Sequence, residues 1–192
     1  MIEKTVFGIG CVGEGKYCSR DGSKMSKDYT CWSSLMARCY SENYQINYPT
    51  YHNCKVKKEW HNYQNFAEWY EGNYVKGWEL DKDILVKGNK VYSSETCCFV
   101  PKEINYLFTK RQNKRGKLPM GVTLSQSNKF LSRLSIKGKK KHIGVYQTPE
   151  EAFYAYKKAK EKYIKEVAEK WKGQIADNVY QAMINWKVEI TD

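Results

Sequence analysis

The sequence predicts an α+β protein of two modules with a closing helix, and three observations carry the prediction. The stretch "ELDKDILVKGNKVYSSETCCFVPKEIN", residues 79 to 105, reads as a strand, a polar loop holding Gly88 and Asn89, and a helix entered through Pro101. Residues 116 to 172 read as three short strands and one long helix. At 192 residues the chain is long enough to bury a core in at least one of two such modules. The expected boundaries are 1–110 for the first module, 111–172 for the second, and 173–192 for a docking helix and tail.

The first part is rich in Tyr, Cys and Trp. "CWSSLMARCY" places Trp32, Leu35, Met36 and Cys39 at helical spacing, so a short helix is expected there. "SENYQINYPTYHNCKVKKEW" is dense in Asn, Tyr and Pro and reads as an irregular connection. "NYQNFAEWYEGNY" then sets Phe66, Trp69 and Tyr70 on one face of a second helix, and core packing is the expected role of these aromatics.

In the second module, "MGVTLSQ", "KFLSRLSIKGKK" and "KHIGVYQ" are short strands with turn signals at Ser127-Asn128 and Gly138. Thr148 as N-cap, Pro149 at the first helical position and Glu151 as capping-box acceptor open the long helix. Its apolar stripe is Ala152, Phe153, Tyr156, Ala159, Tyr163, Ile164, Val167 and Trp171, the face that would cover one side of the sheet. The tail carries a short amphipathic helix through Val179, Met183 and Trp186, which should dock on one of the modules.

No stretch approaches the roughly 18 apolar residues of a membrane span, and the amino terminus lacks signal-peptide order, so use in the cytosol is expected without a membrane partner. Seven cysteines, two of them adjacent, read as reduced thiols packed as small apolar groups. A structural zinc at Cys31, Cys39, Cys54 and Cys97 with His52 or His61 is the lesser alternative. The formal charge of +12 is concentrated: from Lys110 to His142 there are eleven Lys or Arg and no Asp or Glu, leaving 22 basic against 21 acidic residues elsewhere. Such a window suits a polyanion, of which nucleic acid is the commonest, and a solvated lysine-rich face is the bland alternative.

"GVTLSQSNKFLSRLSIKGKKKHIGVYQTPEEAFYAYKKAKEKY" resembles an AP2-type DNA-binding domain: a Gly-Val opening, a basic strand with a central Arg, a Lys/Gly turn, an "hIGvY" strand and a "tpEEA" helix. The resemblance covers about fifty residues. It implies a three-stranded antiparallel sheet, packed on one helix, that enters the major groove of double-stranded DNA. It assigns Lys129, Arg133 and Lys137 to the sheet face, and Arg115, Lys139, Lys140 and Lys141 to phosphates.

The segment from Glu79 to Asn105 in turn resembles the HNH (His-Me finger) endonuclease core, of ββα-metal type, in the version found in phage homing-endonuclease-like proteins that also carry an AP2-like module. "CWSSLMARCY", "YPTYHNCKVKKEW", "NFAEWY" and "VYQAMINWKVEITD" resemble the matching segments of those proteins. In that family a divalent ion such as Mg²⁺ or Mn²⁺ bridges the scissile phosphate while a histidine activates water. Asp81 takes the place of the metal-ligand Asp, Lys82 falls where the His stands, and Asp83 offers a second carboxylate or a base. Thr96 falls near the helix-leading Asn as a further metal position, and Asn105 matches the later Asn.

The resemblance therefore implies a metal-dependent endonuclease that nicks or cleaves duplex DNA. Lys82 is the departure, because an ammonium with a pKa of about 10.4 is a poor base at neutral pH. The competing expectation is a catalytically silent relative, kept as a DNA-binding protein or as a phage inhibitor of a host protein or nucleic-acid-guided ribonucleoprotein complex. For Asp81 and Asp83 themselves, a pair of strand carboxylates balancing Lys82 and Lys87 is the plain structural alternative.

Overall fold

Aromatic side chains spaced at helical intervals set the first core. In the computed structural model, which describes residues 5–109 and 118–192, the chain forms two compact units, Met1–Pro101 and Lys102–Asp192, each with its own mixture of helices and small sheets. The division lies after Pro101, so the helix entered through that proline belongs to the second unit, not to the module ending near residue 110.

The first unit opens with the hairpin β1 (Arg20–Asp21) and β2 (Lys24–Met25), followed by α1 (Lys27–Tyr40). Ser26 caps α1 by accepting the Tyr29 N–H, and Trp32, Leu35, Met36 and Cys39 are its buried face. Residues 41 to 60 are more ordered than their composition predicts. Ser41 ends α1 and caps α2 (Glu42–Asn47), accepting the Tyr44 N–H, and β3 (Lys55–Val56) follows a single 3₁₀ turn. Short capped elements of this kind carry too few periodic apolar residues to be seen by pattern.

α3 (Tyr63–Asn73) buries Tyr63, Phe66, Ala67 and Tyr70 against α1. The aromatics pack as offset and edge-to-face pairs, with Trp60 and Phe66 ring centres 5.0 Å apart and Trp69 and Phe99 5.5 Å apart. The Trp32 indole donates to the Trp60 carbonyl at 2.7 Å, so this buried polar atom is satisfied. β4 (Glu79–Asp81) pairs antiparallel with β6 (Cys98–Val100), while β5 (Val91–Tyr92), inside the connecting loop, pairs parallel with β3. Cys39, Cys54 and Cys97 lie in this core, and burial pushes the Cys39 and Cys97 thiols up to about 12. They pack there as small apolar groups.

The second unit contains α4 (Lys102–Phe108), the antiparallel sheet β7 (Val122–Leu124), β8 (Phe130–Ile136) and β9 (Lys139–Tyr146), then α5 (Pro149–Trp171) and α6 (Asp177–Ile184). The capping box expected at Thr148 and Glu151 is formed in both directions. Val122, Leu134, Ala152, Phe153, Tyr156 and Val188 make the core between sheet and helix. Gly121 is required here: its φ is +79°, and a Cβ would come within 2.1 Å of the Tyr156 ring. Ala159, Tyr163 and Trp171 of the expected stripe are only half-buried. Lys160, which the apolar pattern passes over, is buried instead, and desolvation lowers its ammonium to about 8. α6 packs on α5, and Trp186, just past its end, packs at a tilt against Phe108 with ring centres 4.4 Å apart. No described helix is long and apolar enough to cross a membrane.

Candidate nucleic-acid interface

The sheet of the second unit has one covered and one open face. Alternation along β8 sends Phe130, Ser132, Leu134 and Ile136 toward α5 and leaves Leu131, Arg133 and Ser135 on the other side. The antiparallel register brings Thr123 and Val145 beside Leu131, His142 beside Arg133 and Lys140 beside Ser135. The β8–β9 turn sets His142 opposite Arg133, and a bulge between Ser132 and Arg133, which leaves Ile143 of β9 as the extra residue, then shifts the pairing by one and brings Val145 opposite Leu131.

Of the three residues assigned to the sheet face, only Arg133 stands on it. Lys129 lies in the β7–β8 turn, where its N–H donates to Ser125 Oγ at 3.1 Å. Lys137 lies in the β8–β9 turn with φ +49°, and its ammonium is 3.9 Å from the Glu103 carboxylate. The turns claim these two because a seven-residue β8 ends before reaching either lysine. Lys139, Lys140 and Lys141 begin β9 and are all exposed, but only Lys140 shares the open face. Arg133 and these three lysines have no carboxylate partner among the described residues, whereas Lys170 is neutralised by Glu103. Arg115 lies outside the described residues. His142 and Val145 were missed by sequence reasoning: the place of His142 follows from the register of the β8–β9 turn, and that of Val145 depends on the bulge.

In the first unit, the segment compared with a nuclease core is stitched to itself. Asp81 ends β4, and its Oδ1 accepts the Asp83 N–H at 2.7 Å and the Ile84 N–H at 2.8 Å, an Asx turn that reverses the chain. Burial pushes its carboxyl above the usual carboxylate range, outweighing the two backbone donors that pull it down. The Lys82 side chain is buried, and its ammonium donates to both Asp83 oxygens at 2.9 Å and to the Asn89 carbonyl at 2.7 Å. Asn89 returns the contact, its amide donating to the Lys82 carbonyl at 2.9 Å and the Val91 carbonyl at 2.6 Å. Thr96 Oγ1 donates to the Val91 carbonyl at 2.8 Å and lies 3.0 Å from Ser93 Oγ. Asn105 sits on α4, in the second unit.

As arranged, these residues leave few oxygens free for a divalent ion. A hard cation of that size takes about six oxygen ligands, mostly carboxylate, carbonyl or water. Asp83 is already neutralised by Lys82, the Thr96 hydroxyl is spent within its own loop, and one Asp81 oxygen holds a turn. Among the described residues no group of three or more His, Cys, Asp or Glu is placed to hold a metal. His61 faces Tyr40 and the Val56 carbonyl, at 3.3 Å and 3.0 Å from its Nε2. No family model, curated protein or solved structure matches the chain.

Proposed function

We propose that this protein binds double-stranded DNA through the open face of the β7–β9 sheet, and that its segment 79–105 serves as a scaffold rather than as a hydrolytic centre. The single observation that carries the first part is an open face bearing Arg133, His142 and Lys140, bordered by Lys129, Lys139 and Lys141, with no carboxylate partner for Arg133 or the β9 lysines among the described residues. Dimensions support the major groove. Three strands at about 4.8 Å spacing place the outer two roughly 10 Å apart, within a groove about 12 Å wide and beyond a minor groove of about 6 Å. Arg133 can then donate two bonds to guanine N7 and O6, while the bordering lysines meet phosphates.

The scaffold reading is supported by Lys82. Its ammonium occupies the position at Asp83 that a metal would otherwise neutralise, and its hydrogen bonds tie Asp83 to the Asn89 carbonyl at the far end of the loop. Supercoiled plasmid incubated with Mg²⁺ or Mn²⁺, together with a duplex titration in the presence of EDTA, tests both parts. The expected result is duplex binding unchanged by EDTA and no metal-dependent nicking. Nicking that Asp81→Ala abolishes would restore the endonuclease reading, and absence of duplex binding would remove the DNA reading altogether.

A further inference from the structure

The open face is not uniformly cationic. Thr123, Leu131 and Val145 form one row across its three strands, because Thr123 pairs with Leu131 and Leu131 with Val145. None of the three belongs to the core between sheet and helix. Val145 is 50% exposed, Thr123 is exposed and Leu131 is half-buried, so three methyl-bearing side chains face solvent at the centre of a basic surface. The next row is Arg133 with His142, and the one after it Ser135 with Lys140.

Successive rows on one face of a strand are two residues, or about 6.8 Å, apart, which is close to two base-pair steps of about 3.4 Å. A surface that only attracted phosphates would gain nothing from branched apolar side chains there. In the major groove, however, the one apolar group on a base edge is the C5 methyl of thymine, and the minor groove has none. Resting on the duplex-binding reading above, we propose that the Thr123–Leu131–Val145 row contacts the 5-methyl group of thymine while Arg133 takes a guanine about two base pairs away. The face thus selects a thymine and a guanine at fixed separation, and it discriminates against duplexes in which uracil replaces thymine.

Selection from a random pool supplies the target. Duplexes enriched by the full chain are re-amplified with either dTTP or dUTP, which differ only by that methyl, and their affinities are compared. Uracil should weaken binding about fourfold for each contacted methyl, the value of one buried methyl-sized group. The double variant Leu131→Ala, Val145→Ala should bind both pools alike while keeping the parent's salt dependence, and Thr123→Ser, which cannot disturb the core, should narrow the difference. Equal affinity of the parent for the two pools, or failure of selection to enrich any sequence, overturns the methyl contact while salt-dependent duplex binding survives. Absence of any duplex binding instead overturns the reading on which it rests.

Discussion

The Lys82 ammonium lies 2.9 Å from each carboxylate oxygen of Asp83, its immediate neighbour in sequence. That pair sits at the turn where a strand ends and a long loop begins, with the lysine 9% and the aspartate 43% exposed at the side chain. A third bond to the Asn89 carbonyl ties the far end of the loop to the same ammonium. The residue that departs from the nuclease pattern is therefore the one that closes the loop.

Lys82→Met keeps the apolar stem but removes the charge. It leaves Asp83 and the Asn89 carbonyl without their shared donor, and breaking a fully buried pair costs about 3–5 kcal/mol. Because Asp83 reaches water, the expected loss is nearer to about 2 kcal/mol, read by urea denaturation of the full chain. An unchanged midpoint would show that water replaces the ammonium at no cost.

Asp81 carries a pH dependence. Its folded-state carboxyl lies above the ordinary range because of burial, so the folded state binds the proton more tightly than the unfolded chain. Stability from this group is therefore highest below the unfolded pKa and falls as pH rises through the folded one. Asp81→Asn keeps an oxygen acceptor for the Asp83 and Ile84 N–H groups and removes the charge. It should equal or exceed the parent in stability at pH 7, with the difference vanishing toward acid. Asp81→Ala should instead lose about 1–2 kcal/mol through two unpartnered donors. A large loss for Asp81→Asn at pH 7 would mean the charge is needed.

Lys160 gives the opposite slope. Its ammonium is lowered to about 8 by desolvation, so the unfolded chain holds the proton better between about 8 and the ordinary lysine value. Stability should rise with pH across that window, and Lys160→Met should abolish the rise. At pH 7 the same variant is expected to be more stable than the parent by about 1–3 kcal/mol, since methionine fills the site without a charge to desolvate. A thermal melt series from pH 7 to 10 measures both.

Legibility in the sequence followed the strength of local signals. The buried face of α1, the aromatic face of α3 and the capping box of α5 were readable because periodicity and end signals coincide there. α2, β3 and β5 were not, because elements of two to six residues are stabilised by caps and tertiary pairing rather than by their own pattern. For the site, the cluster of positive charge and the outward-facing Arg133 could be read from alternation and composition. The apolar row on the sheet could not: a single bulge beside Ser132 decides that Val145 faces Leu131, and a bulge leaves no compositional mark. Nor does spacing show that Lys82 turns inward to Asp83 and Asn89 instead of outward to a phosphate.

Whether duplex DNA binds at the basic sheet of the second unit is decided by the salt dependence of affinity. The logarithm of the association constant, plotted against the logarithm of salt concentration, should fall with a slope of about −0.9 per neutralised phosphate. Reversing Lys139, Lys140 and Lys141 to Glu should flatten that slope by at least the contact made by Lys140 on the open face and weaken binding at every concentration. A parent whose affinity does not change with salt, or a triple variant with the parent's slope and affinity, would be incompatible with binding through this sheet.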